Sequence, residues 1–328
     1  MKRWLALALV AAFAAACSDR PAPTQPGAPS FLDVQGTTTH VHVMPTKAQA
    51  LGLSDARPGG GGGKKANTGI FYHGGPVFYQ TNVVAVYWAN STIYNGGPGA
   101  GTTGPGSADN SLIGYFLRNL GGSPYFNINT TYFDGTGAHV QNVVNYTGFW
   151  AANTNVPASG ANVSDAQIQA QLISGFTSGA ITFDQNTLYE VFSGPGVNLG
   201  GGFGTQYCAY HGHFSWNGND VKYSAMPHDY DFPTACAALS GSPNNDFAAD
   251  AEVNTLAHET EETTTDEDLN AWFDRRGQEN ADKCAWTFGT TYTTSNGSVA
   301  NMNLGGKDFL VQRNWVNAGS GGCANQYP

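Results

Sequence analysis

Apolar and polar positions alternate with two periods along this chain, and the periods divide it into strands and helices. Val83-Val84-Ala85-Val86-Tyr87-Trp88 is an unbroken β-branched and aromatic run, the pattern of a strand buried on both faces. Leu188 to Ser193 and Val221 to Met226 read as further strands, and Val140 to Tyr146 alternates with period two. Helical spacing appears over Ser111 to Leu120, with Leu112, Phe116 and Leu120 on one face and Gly121-Gly122 as a stop. A second helix is expected over Ser164 to Gly175, opened by Ser164 as cap and carrying Ile168, Leu172 and Ile173. The longest helix, Asp246 to Thr264, is acidic rather than amphipathic. Alternating segments return near Thr290 and over Phe309 to Val316. Strands around one long acidic helix predict an α+β or three-layer α/β single domain.

The N-terminal pattern belongs to targeting. Lys2 and Arg3 precede a short apolar run, Trp4 to Phe13, and Ala14-Ala15-Ala16 stand before Cys17. The run is too short to span a bilayer. Residues 1–16 read as a lipoprotein-type signal peptide, with Cys17 as the lipidated residue; an ordinary A-x-A secretory site is the alternative. Either places the protein outside the cytoplasm, lipid-anchored in the cell envelope or secreted. Residues 17–65, with Pro21, Pro23, Pro26, Pro29 and the run Gly59 to Gly63, read as a flexible tether in which only Thr38 to Met44 alternates like a strand. Residues 66–328 are then the domain, long enough for one sizeable core.

Four cysteines remain, Cys208, Cys236, Cys284 and Cys323, and they allow three pairings. Pairing sequence neighbours gives Cys208–Cys236 and Cys284–Cys323, each worth about 3–4 kcal/mol. The absence of C-x-x-C argues against a thioredoxin-like or ribbon-type zinc site. Gly99 to Gly104 matches G-x-G-x-x-G by letter, but no acidic residue follows at the dinucleotide-binding distance.

Charge singles out one region. Asp246 to Lys283 holds twelve acidic and three basic residues, a net −9 against −10 for the whole chain. Such a cluster repels itself unless solvent or a cation compensates it, and its sign excludes nucleic acid as a partner. At its centre stands His258-Glu259-Thr260-Glu261-Glu262. On a helix, His258 and Glu262 share a face, so both can ligate one metal while Glu259 takes a proton from a metal-bound water. Glu279 and Asp282, 21 and 24 residues after His258, are candidate third ligands. Secondary candidates are Asp266, which continues the stripe, His211 and His213, which share a strand face, and His73 in a glycine-rich turn. A divalent metal is expected, zinc first, but one histidine and two carboxylates form a harder set than is typical of zinc, which keeps calcium and manganese as alternatives. The bland readings are a solvated acidic helix face, a turn histidine at His73, and a disulfide-braced loop holding His211 and His213.

The segments YHGGPV (72–77), CAYHGHF (208–214), YSAMP (223–227), AHETEETTTDEDLNAWF (257–273), ENADKC (279–284) and FLVQRNW (309–315) occur in order. In these the chain resembles the Exordium-like, phosphate-induced proteins over about Gly69 to Cys323. The resemblance implies a secreted protein with a shared fold and points at His258, Glu259, Glu262, Glu279 and Asp282; it supplies no reaction. Thr260 and Glu261 depart from the family's usual letters, and Glu267 replaces a proline that would stop the helix.

Together these readings predict a zincin-like, surface-tethered metallohydrolase. His258 and Glu262 bind the metal with Glu279 or Asp282, and Glu259 acts as general base on a peptide or extracellular polymer. The lipid anchor is the only expected membrane contact. A non-catalytic wall-binding protein with a structural cation, or a carbohydrate-active protein, are the rival classes.

Overall fold

The computed structural model describes residues 40–53 and 69–328. The expected signal peptide, Cys17 and most of the expected tether lie outside the described residues. Residues 41–53, inside the stretch read as tether, are docked on the domain. They form strand β1 (Val41–Pro45) and helix α1 (Lys47–Leu53).

The core is a seven-stranded sheet. Its other strands are β2 (Thr81–Trp88), β3 (Thr103–Pro105), β4 (Val144–Trp150), β5 (Thr187–Ser193), β6 (Tyr207–Trp216) and β7 (Asn219–Met226). The order is β1-β6-β7-β5-β2-β4-β3. The central four strands, β7, β5, β2 and β4, run parallel, and the outer pairings are antiparallel. The strands read from sequence over Val83 to Trp88, Leu188 to Ser193 and Val221 to Met226 are three of these central strands, as burial on both faces requires. Asn217-Gly218 joins β6 to β7, both residues at positive φ, the backbone that a tight two-residue hairpin demands.

Alternation sorts the sheet into two faces. Tyr189, Tyr210 and Tyr223 point to one, where Tyr210 and Tyr223 both donate to Asp165 at the start of helix α3 (Asp165–Ser178). Ser164 and Gln167 form a capping box there, as the cap at Ser164 suggested. Glu190, His211 and Ser224 point to the other face, covered by α2 (Leu112–Leu120) and α4 (Phe247–Thr265). The layers are therefore helix, sheet, helix, in one mixed α/β domain. Both disulfides, Cys208–Cys236 and Cys284–Cys323, pair as the sequence spacing suggested.

Three expectations change. The alternating stretch 140–146 is only half strand. Val140 instead returns to Tyr132 across a turn held by Asp134, and the strand starts at Val144. The C-terminal segments join short two-stranded ribbons beside the sheet rather than the sheet itself. Helix α4 is not a water-facing acidic helix, because every residue from Ala249 to Thr265 is buried. Part of this helix's polarity is answered by hydrogen bonds inside the fold. Thr260, Thr263 and Thr264 bond carbonyls one turn back, Thr260 also donates to Glu190, and Asn314 donates to Glu261.

Candidate active site

The site begins as a row across the sheet. His42 on β1 is the register partner of His211 on β6, His211 of Ser224 on β7, and Ser224 of Glu190 on β5. One polar row on a buried face is unusual in a sheet of this kind, and α4 lies over it with His258, Glu259 and Glu262. The third wall is the turn Glu279 to Asp282. It is held by the Asp282–Cys284 3₁₀ turn, the Cys284–Cys323 bridge and the amide of Asp282, which donates to Glu262 Oε1 at 2.9 Å.

These walls close around one centre. His211 Nδ1 is 3.1 Å from Glu259 Oε2, and its Nε2 is 3.6 Å from Glu279 Oε2. His42 Nε2 is 2.7 Å from Asp282 Oδ2 and 3.6 Å from Glu262 Oε2, while its Nδ1 is 3.3 Å from Glu279 Oε1. His258 Nε2 faces Glu262 Oε1 at 3.2 Å and Asp282 Oδ1 at 3.5 Å. Solvent touches only the His42 and Asp282 side chains, at 4% and 8% of their surface. Several buried atoms lack a hydrogen-bond partner, among them His211 Nε2, Glu259 Oε1, Glu262 Oε2 and both Glu279 oxygens. Buried polar atoms nearly always find partners, so this concentration singles the cluster out as the candidate functional centre.

Burial and mutual charge set the protonation. Burial raises Glu259 well above the usual carboxylate range, and neighbouring Glu262 adds to the rise. Glu279 is pushed up by burial and by Asp266 and Glu262. Asp282 goes the other way, because His42 and His258 outweigh the burial cost and hold it ionised. Burial opposes charge on His42, but Asp282 and Glu262 win and raise it to about 9. His211 is driven well below the normal histidine range by burial and by the two other rings, and stays neutral. His258 is pulled toward the charged form by Glu262 and Asp282 against burial. Gln312 decides otherwise. Its Nε2 donates to Ala281 O at 2.9 Å and its Oε1 accepts from the Trp286 amide, so it offers a donor to His258 Nδ1 at 3.0 Å. An imidazolium would need an acceptor there, so we read His258 as neutral, with its proton on Nε2 facing the two carboxylates.

The structure thus brings His258, Glu259, Glu262, Glu279 and Asp282 together and adds His211. Asp266 flanks them and caps the end of α4, accepting from Asn270 and Ala271. His213 lies elsewhere, 2.9 Å from Asp220, in a cluster whose cation is already Lys222, 2.6 Å from Asp220 and 2.7 Å from Asp268. His73 stacks on Phe273 and bonds its carbonyl, the turn role of the bland reading. Sequence reasoning missed His42, although the alternation over Thr38 to Met44 was visible and fixes the face on which it lies. Gln312 was seen only as one letter of FLVQRNW.

Residues 204–323 match the family model of microbial transglutaminase. The match covers a little over a third of the chain, and it spans β6, β7, α4 and the Glu279–Asp282 turn. Every group of the centre except His42 lies inside it. No curated protein and no solved structure matches the chain. The transglutaminase match overturns the Exordium-like reading, five of whose six blocks fall inside the matched segment. The metallohydrolase, the wall-binding protein and the carbohydrate-active protein lose their footing with it, because the family whose model matches is a transglutaminase. The match lends nothing to a zincin-like fold or to metal binding.

Proposed function

We propose that this protein is an acyltransferase that joins an amine to a carboxamide carbon, the reaction class named by the transglutaminase match. The observation that carries the reading is that the matched segment and the buried His–carboxylate centre coincide. The centre's closure also favours transfer over hydrolysis, because water is kept from competing with the amine.

Acyl transfer often runs through a thiolate. All four cysteines among the described residues are in disulfides, so the groups at hand favour direct aminolysis. The carbonyl enters from the His42–Asp282 side, where the little exposure lies. The amine nitrogen attacks it, and the carbonyl electron pair moves to oxygen. Neutral His211 takes the amine proton on Nε2, its Nδ1–H held by Glu259 Oε2. Protonated Glu259 then donates from Oε1 to the departing nitrogen as the old C–N bond breaks, and ammonia leaves. Imidazolium and carboxylate remain 3.1 Å apart through Nδ1–H and Oε2, and the pair is restored when the Nε2 proton is released to water and Glu259 Oε1 takes one up. Two disulfides suit an oxidising compartment, so we place the substrates among exported, carboxamide-bearing polypeptides.

The test is incorporation of a fluorescent primary amine into a glutamine-containing protein. Glu259→Gln should lower kcat about 100-fold or more, within the usual span for a general acid or base, and alkylation of thiols should leave the rate unchanged. Absence of amine incorporation by the folded, full chain refutes the activity. Loss of the rate on alkylation refutes the direct route.

A further inference from the structure

We propose that the centre holds one divalent cation, ligated by His42 Nε2, Glu262 Oε2 and Asp282 Oδ2. The inference stands on geometry alone and owes nothing to the family match. The three atoms come from three separate elements: a sheet-edge strand, the core helix and the 3₁₀ turn. One ligand atom from each lies within 4.8 Å of the others. Pairwise, His42 Nε2 is 2.7 Å from Asp282 Oδ2 and 3.6 Å from Glu262 Oε2. The first is a hydrogen bond and the second is close to the spacing of about 3–3.6 Å adopted by donors about 2.0–2.2 Å from one small ion, so an ion would replace the proton between His42 and Asp282 and open that pair by a few tenths of an ångström.

The surroundings prepare these atoms as ligands. His42 Nε2 is hydrogen-bonded to Asp282, so a metal would displace that proton, and the Nδ1–H that remains would face Glu279 Oε1, 3.3 Å away. Glu262 uses Oε1 to accept the Asp282 amide, and its Oε2 is buried with no hydrogen-bond partner. His258 has the opposite arrangement. Gln312 donates to its Nδ1, so its proton lies on Nε2, and it faces the outer oxygens of Glu262 and Asp282 instead of ligating. The H-E-x-x-E pattern therefore supplies one ligand and one positioning residue, not two ligands. Mixed imidazole and carboxylate donors, with three protein ligands and an open position, suit a first-row divalent ion such as zinc. The rival cluster at His213, Asp220 and Asp268 is already neutralised by Lys222 and makes the natural control.

In the acyl transfer proposed above, such an ion would sit beside the His211–Glu259 pair, sharing Glu262 with it, and would polarise the carbonyl oxygen. The test is made without substrate, so the two readings fail separately. The full chain is stripped with chelator and titrated with zinc by calorimetry, with metal content measured after dialysis. One equivalent is expected. Asp282→Asn and Glu262→Gln should each weaken binding about 100-fold, His42→Ala about 10-fold or more, and His213→Ala not at all. Thermal melting checks that each variant folds, and Asp282→Asn, which keeps the side chain's shape, decides if Glu262→Gln does not fold. A folded wild-type chain that takes up no zinc at micromolar concentration overturns the proposal, as does binding lost in His213→Ala and kept in Asp282→Asn. Amine incorporation indifferent to chelator would sink the cation and leave the acyl transfer standing. Zinc bound by an inactive chain would do the reverse.

Discussion

At the scale of single residues, the carboxylate at the far end of the buried polar row gives a clean test of the electrostatics. Glu190 lies in the middle of the sheet, fully buried, and accepts from the Thr260 hydroxyl at 2.7 Å. Burial raises it to about 8, with the Thr260 bond pulling modestly the other way. A raised carboxyl favours the folded state in its acid form. Its contribution is complete below about pH 4.5 and is lost as pH rises through about 8. Glu190→Gln imitates the acid at every pH. Urea denaturation should give nearly equal stabilities for variant and wild type at pH 5. At pH 9 the variant should be more stable by roughly 2 kcal/mol or more. An offset that does not change with pH would mean that Glu190 is ionised in the folded chain. Glu190 was legible from sequence only as part of the strand Leu188 to Ser193. Its place in the His42–His211–Ser224 row depends on strand order, which no local pattern encodes. For the same reason His42 went unnoticed, since it is 240 residues from its partner Asp282.

Elements show the same division between local and long-range information. The parallel strands were legible because burial on both faces leaves an apolar run, and α2 and α3 because one apolar face and a cap residue are local signals. Helix α4 was found but misplaced: its acidity suggested a water-facing surface, whereas it is the most buried helix of the fold. What reverses the inference is the polar row of the sheet and the Asn280, Gln312 and Asn314 side chains, which pair with several of its polar groups. The short turn carrying Asp282 is largely buried, and the Cys284–Cys323 bridge ties its end to the C-terminal ribbon. Replacing both cysteines by serine should lower stability by about 4 kcal/mol, as expected for opening a loop of 39 residues. It should also loosen Asp282, so amine incorporation at a temperature where the variant is folded should fall several-fold. Full activity in the folded variant would show that the Asp282 amide bond to Glu262 holds the turn by itself.

For the whole molecule, the charge cluster that stood out in the sequence turns into a statement about pH. Most of its carboxylates are inside the fold, not on it. Burial raises Glu252, Glu261 and Glu267 to about 8 and Asp266 to about 7. All bind more protons folded than unfolded between their ordinary range and these values, so each makes stability fall as pH rises. His42, raised to about 9, acts in the same direction, since its contribution is present below about pH 6.5 and lost through about 9. Asp282, held ionised by the histidines, opposes them only at acid pH, where its protonation would break the centre. The exposed Asp134, lowered to about 2 mainly by its hydrogen bond from Tyr79, has no effect in the neutral range. With chelator present, melting temperature should therefore peak near pH 5–6 and decline steadily to pH 9, the reverse of a protein whose carboxylates are paired on its surface. Calorimetric scans across that range decide the matter. A melting temperature that rises from pH 6 to pH 9 would mean that the buried carboxylates are ionised in the folded chain. The −9 of the segment Asp246 to Lys283 would then need a compensating charge that its own side chains do not supply.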